Sequence, residues 1–132
     1  RFAMQAIYQG HLTQGDTTVI TEKFLAQEEM ASVDTAYFLS LVQGVLEDKV
    51  SLDTQLQLFL DRPLKELDLV ELAILRLGAY ELSQHPEVPY KVILNESIEL
   101  AKMFGATDSY KYINGILHLL AKKIRVLEFK DK

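Results

Sequence analysis

The sequence predicts an all-α protein, and three observations carry the prediction. Apolar residues recur at helical spacing along most of the chain. No sustained two-residue alternation is bounded by an Asn-Gly or Asp-Gly turn, so strand signals are weak throughout. Residues 88–115 contain two complete sets of helix start and stop signals. The expected architecture is a helical bundle of about seven helices forming a single domain over residues 1–132. A seam near residues 48–52 is expected to divide a three-helix half from a four-helix half.

Taken in order, residues 2–13 form the first helix, which ends at the Gln14-Gly15-Asp16 break. Residues 19–27 form the second. Ser32 or Asp34 caps a third, in which Tyr37, Phe38, Leu41, Val42 and Val45 repeat at helical spacing. Ser51 or Asp53 begins a short fourth helix that ends before Pro63, because the residue ahead of a proline is pushed out of helical geometry. Asp68-Leu69-Val70-Glu71 has the form of a capping box, with Leu67 and Leu72 placed as a hydrophobic staple. The fifth helix, over residues 69–82, is apolar nearly all round and therefore belongs at the centre of the bundle.

Pro89 suits the first turn of a sixth helix over residues 89–104, and Gly105 is expected to close it in the left-handed conformation. Ile93, Leu94, Ser97, Ile98, Leu100, Ala101 and Phe104 share its core face, opposite Lys91, Asn95, Glu99 and Lys102. Thr107, Asp108 or Ser109 is expected to accept a hydrogen bond from the free N–H groups of a seventh helix reaching Ile124. That helix buries Ile113, Ile116, Leu117, Leu120 and Ile124.

Composition narrows the chemistry. A chain of 132 residues can bury about two-thirds of its unfolded surface, so its core needs no staple. The absence of cysteine excludes disulfides, thiolate metal sites and a cysteine nucleophile. No apolar run approaches the roughly 18 residues of a membrane span, so no membrane partner is expected and the cytoplasm is the default location. Net charge of −5 argues against indiscriminate coating of nucleic acid, because such binding rests on phosphate neutralisation, but a local basic face remains compatible with it. The chain opens on Arg1 rather than methionine, and a native leader is expected to precede it.

No constellation resembles an active site. His11, His85 and His118 stand in no ligand spacing and read as surface or helix-end histidines. Glu96 with Glu99, and Glu28 with Glu29, read as solvated faces. No glycine-rich phosphate loop or nucleophile elbow occurs, so neither catalysis nor a cofactor is expected. Binding chemistry is better represented. Arg1, Gln5 and Tyr8 share one azimuth of the first helix, offering single-stranded RNA a cation, an amide and a stacking ring; the alternative is an amphipathic helix with a snorkelling tyrosine.

On the last helix Lys111, His118 and Lys122 face away from the core stripe, Tyr112 sits at its edge, and Gly115 reads as a site of tight helix packing. A solvated basic stripe is the alternative there. Asp108 cannot neutralise phosphate, so capping and accepting hydrogen bonds from base or sugar are its available roles. Glu71 and Arg76, polar positions on the apolar fifth helix, must reach solvent, pair internally or meet a partner.

Several of these segments carry a family resemblance: Pro89-Tyr90-Lys91, Asn95 to Lys102, Phe104-Gly105 and Lys111 to Gly115. Val70-Glu71, Leu75-Arg76, Tyr80-Glu81-Leu82 and Ala3 to Tyr8 extend it upstream. Together they resemble the NusB family of bacterial transcription antitermination factors over all but residues 13–31 and the tail after Arg125. The resemblance implies an RNA-binding adaptor that takes a short single-stranded boxA-type element jointly with NusE, a small-subunit ribosomal protein, within an RNA polymerase antitermination complex on ribosomal RNA operons. It implies RNA contacts at Arg1, Gln5, Tyr8, Asp108, Lys111 and Tyr112, helped by an arginine-rich leader, and partner contacts at Glu71 and Arg76. Two alternatives accompany it: the NusB-like domain of a ribosomal RNA cytosine methyltransferase, and a helical protein-interaction adaptor that does not touch RNA. The same partner surface is compatible with a homodimer when the protein is free.

Overall fold

Three aspartates start three of the helices. Asp16 Oδ1 accepts the Thr18 N–H at 2.7 Å, Asp34 Oδ1 accepts that of Tyr37 at 3.1 Å, and Asp68 Oδ1 accepts that of Glu71 at 2.7 Å. In the computed structural model, which describes residues 1–27 and 34–130, the elements run α1 (Phe2–Thr13), α2 (Thr17–Leu25), α3 (Thr35–Glu47) and α4 (Lys49–Gln57). A 3₁₀ turn (Leu64–Glu66) leads into α5 (Leu69–Gln84), α6 (Tyr90–Phe104), α7 (Ser109–Ile124) and α8 (Val126–Lys130). No strand occurs among the described residues. Ser32, the other candidate cap for the third helix, and the Glu28–Glu29 pair lie outside them.

The differences from expectation have local causes. The second helix starts two residues early, because Asp16 caps it from the break itself. The fourth helix begins at Lys49 rather than after Ser51 or Asp53: Asp48 gives its N–H to Gly44 O at 3.0 Å to end α3, and its carbonyl accepts the Leu52 N–H at 3.0 Å to begin α4. Gly105 is not left-handed, having φ −88° and ψ 172°. It is required for space, since a Cβ there would lie 2.4 Å from Ser109 Oγ and 2.7 Å from Ala101 O. The left-handed residue is Asp108, with φ 67°, and its side chain makes no capping bond to α7.

The eighth helix is the largest departure from the expected seven, and Arg125 explains it. This buried side chain donates from Nε to Leu82 O at 2.8 Å, from Nη1 to Val88 O at 2.8 Å, and from Nη2 to His85 O at 2.9 Å and Glu81 O at 3.3 Å. It also pairs with Glu128, whose other oxygen accepts the Tyr90 N–H at 3.0 Å. One ion pair thereby ties the carbonyls that end α5 to the first amide of α6, adding to the main-chain N–H groups that Glu81 O and His85 O already accept. Against the opposing cost of burial, the Tyr90 N–H and the Arg125 charge hold the Glu128 carboxyl below its ordinary range. Phe129 completes the anchor by stacking on Tyr90, with ring centroids 4.3 Å apart.

Helix α5 is central, packing against α1, α3, α4, α6 and α7. Ile74, Leu75 and Leu82 of α5 are almost wholly buried, as are Ile93 of α6, Ile113, Leu117 and Leu120 of α7, and Met4 and Ile7 of α1. Each such side chain contributes about 1.5–3 kcal/mol through its removal from water. A rigid centre of this kind fixes where the outer faces of α1 and α7 stand relative to one another.

Candidate nucleic-acid interface

The outer face of α1 opens onto a groove of about 470 Å³, in which Gln5 and Tyr8 stand with Lys23, Phe24, Val70 and Phe104. Tyr8, Val70 and Phe104 also line the adjoining depression of about 250 Å³, together with Gly105 and Ala106. The tyrosine thus connects the first helix to the α6–α7 turn, nearly a hundred residues away in sequence. Both cavities have mixed apolar and polar walls, the setting in which a base stacks while its edge stays hydrogen-bonded.

Beyond the turn, the exposed Asp108 carboxylate lies 3.6 Å from the exposed Lys111 ammonium. Such a pair is weak in water and leaves the lysine available to a stronger anion. The Lys102 ammonium sits 4.7 Å from the Tyr110 ring centroid and that of Lys111 5.9 Å from it, while the Arg62 guanidinium lies 4.6 Å from the Tyr112 ring centroid. Tyr112 donates its hydroxyl to Asp61 Oδ1 at 3.0 Å, and Asp61 also accepts from Arg62 Nε at 2.9 Å. Burial and this hydrogen bond push the Tyr112 phenol above its ordinary range, and bonding from Arg62 and then Tyr112 holds Asp61 below its own. Cations and rings therefore alternate along the edge of α7, a pattern suited to a single nucleic-acid strand.

Of the expected RNA residues, Gln5 and Tyr8 share a groove, and Asp108, Lys111 and Tyr112 follow one another beyond its end. Arg1 does not join them. It opens instead onto a separate cavity beside Tyr37, Glu81 and Glu96, since it sits a full turn ahead of Gln5 where α3, α5 and α6 meet α1. Sequence reasoning missed Lys23, Arg62, Lys102 and Tyr110 as members of this surface. Arg62 registered only as the break before Pro63, and Lys102 only as part of a polar face; the alternation of basic and aromatic residues in 110–112 was the available signal.

Other expectations are corrected by the packing. Gly115 is not a close-packing site, because a Cβ there would meet nothing within 4 Å. His118 packs edge-on against Phe129 at 5.7 Å between ring centroids, so it is partly covered by α8. Glu71 is half-buried at the start of α5; burial and then the neighbouring Asp68 charge raise its carboxyl above the ordinary range, against the pull of the Asp68 N–H and the Arg62 charge.

Arg76 is committed internally. Its Nε and Nη2 donate to the two oxygens of Asp53 at 2.8 and 2.7 Å, with the arginine side chain 11% exposed, so internal pairing rather than partner contact describes it. Its Nη1 lies 3.2 Å from His11 Nε2. Because a guanidinium only donates, Nε2 must accept, which assigns the ring proton to Nδ1, a buried atom without a hydrogen-bond partner. His11 is accordingly no surface histidine. Burial first, then the charges of Arg76 and Lys49, lower its pKa from 6.5 to about 4.

A lowered histidine pKa has a definite sign in folding. Below about pH 6.5 the unfolded chain takes up a proton that the folded His11 refuses until about pH 4, so the associated stability is complete above that window and is lost as pH falls through it. His11→Asn is expected to reduce the loss of stability between pH 7 and pH 5, as read from urea midpoints at the two values. An identical loss in both proteins would assign the pH dependence to other groups.

Among the described residues no group of three or more histidines and carboxylates could hold a metal, and no helix is long and apolar enough to cross a membrane. A family model described as the NusB family matches residues 1–122. The chain is 49% identical over 132 residues to a transcription antitermination protein NusB of Alcanivorax borkumensis, covering 100% of this chain and 88% of that protein. It is 50% identical over 127 residues to one of Marinomonas sp. (strain MWYL1), covering 95% and 73%. Among solved structures, T. maritima NusB superposes with a TM-score of 0.88 at 28% identity, covering 98% of this chain and 92% of that one. A complex of the antitermination factors NusB and NusE with double-stranded RNA shares the fold, with a TM-score of 0.84 at 20% identity and 92% of each chain covered.

Proposed function

The chain belongs to the NusB family, and from that premise we propose that it is a transcription antitermination factor that binds RNA together with NusE. Its target in this reading is a short single-stranded boxA-type element in nascent ribosomal transcripts, and its product is an RNA polymerase that resists termination. The observation that carries the reading is the continuity of the groove: Gln5 and Tyr8 lead past Val70 and Phe104 to the turn that presents Asp108, Lys111 and Tyr112. Lys23 adds charge within it, and beyond the turn Arg62 against Tyr112 and Lys102 against Tyr110 add charge and stacking surface. Glu71, beside Asp68 at the rim, is assigned to the protein partner, and Arg76 is left to its internal pair.

Binding alone accounts for this role; it requires no covalent step and places the protein in the cytoplasm with the transcript. All of residues 1–132 act in this reading as one RNA-binding domain, with the partner extending the surface and raising affinity. The test is a titration of fluorescent boxA-type RNA, with and without NusE, at two salt concentrations. Affinity equal to that for a scrambled RNA in every condition would overturn the specific-adaptor reading. Because a stacked base is worth about 1–3 kcal/mol, Tyr8→Ala is expected to weaken RNA binding by about tenfold or more while thermal unfolding shifts little. Unchanged affinity would return Tyr8 to a purely packing role.

A further inference from the structure

The ends of five helices converge on a cavity of about 580 Å³ that the RNA groove leaves unused. Leu46, Leu69 and Leu72 form its apolar floor, and His11, Gln14, Thr17, Lys49 and Arg76 bring polar atoms to its wall. No lining residue is a carboxylate, in a chain whose net charge is −5. Two carboxylates next to lining residues are already engaged. Asp16 caps α2 through the Thr18 N–H, and both oxygens of Asp53 are held by Arg76.

The cations keep capacity to spare. A guanidinium has five N–H groups; Arg76 directs two at Asp53 and one at His11, which leaves two. Lys49 belongs to none of the ion pairs found among the described residues. Gln14 and Thr17 can add an amide and a hydroxyl donor, and Gly10 and Gly15 let the cavity approach the backbone of the α1–α2 turn. A fixed guanidinium, an unpaired ammonium, further donors and no lining carboxylate are the chemistry of an oxyanion site.

We propose that this cavity binds a phosphate group, held by Lys49 and Arg76. Inorganic phosphate and a phosphodiester of bound RNA share that chemistry. The second source has a path, since Leu69 lines both this cavity and the depression beside Tyr8, and His11 stands one turn along α1 from Tyr8. The site itself does not depend on the RNA reading.

The test follows the His11 ring resonances by NMR at pH 7 while inorganic phosphate is added at constant ionic strength against chloride, in the wild-type chain and in Lys49→Gln. Lys49 opens α4, where its charge is unfavourable to the helix dipole, so the variant is expected to fold with an unchanged melting temperature. A saturable shift in the wild type, weakened at least tenfold in the variant, is the expected result. A shift that does not saturate, or that Lys49→Gln leaves unaltered, overturns the proposal.

A second arm separates the sources. If RNA supplies the phosphate, boxA-type RNA abolishes the phosphate-dependent shift, and Lys49→Gln lowers the slope of log affinity against log salt by about one. If the ligand is free phosphate, RNA affinity is the same in both proteins while the phosphate response differs. The phosphate arm contains no RNA, so its failure is distinguishable from failure of the antitermination reading.

Discussion

Replacing Arg125 with methionine is expected to lower folding stability by about 3–5 kcal/mol, the range found when one partner of a buried ion pair is removed. The side chain is 7% exposed and its five donors serve four main-chain carbonyls and Glu128, so the variant removes all of these bonds at once and leaves Leu82 O and Val88 O without their side-chain donor. For a domain of this size the loss corresponds to a fall in melting temperature of roughly 10–20 °C. Arg125→Lys should recover only a minor part, because an ammonium cannot spread its donors over carbonyls lying on several sides of a plane. Urea unfolding decides the matter: a loss under about 1 kcal/mol for Arg125→Met would show that α8 is an appendage rather than the clasp between α5 and α6.

The second large effect is expected at Arg76. Arg76→Ala removes the bidentate partner of Asp53 and the donor to His11 together, and the carboxylate left behind is only 26% exposed. Discounted for that residual solvent contact, the loss should be about 2–3 kcal/mol. A double-mutant cycle with Asp53→Asn isolates the pair, and coupling well above that of the exposed Arg62–Asp61 pair is the expected outcome. Absence of coupling would mean that Arg76 stabilises through its aliphatic stem alone. NusE binding provides a second readout, since an arginine committed internally should affect heterodimer formation only as far as it affects folding.

These two arginines also mark where the chain was legible and where it was not. The apolar stripes of α5, α6 and α7, the Asp34 and Asp68 caps and the central place of α5 all follow from spacing, because amphipathic periodicity is a local property of the helix. Arg125 stood where the sharp sequence match ends, yet it anchors an eighth helix whose five residues carry no stripe to read. Its meaning lies in carbonyls about forty positions earlier. Arg76 was recognisable as an anomaly on an apolar helix, but solvent, pairing and partner contact look alike until Asp53 is brought alongside.

The candidate RNA surface divides the same way. Gln5, Tyr8, Lys111 and Tyr112 were readable as polar and aromatic groups on outer faces, whereas Arg1 shared their azimuth and still fell into another cavity. By itself the sequence determined the all-α class, the helix order, most of the buried stripe and the family, because these rest on periodicity, capping chemistry and motif. Only the tertiary structure decided that Tyr8 meets the α6–α7 turn, that Arg62 covers Tyr112, that Arg76 turns inward and that Arg125 closes the bundle. The reason is physical: a side chain's free energy depends on what packing places within a few ångströms of it, and in this fold those neighbours come from distant parts of the chain.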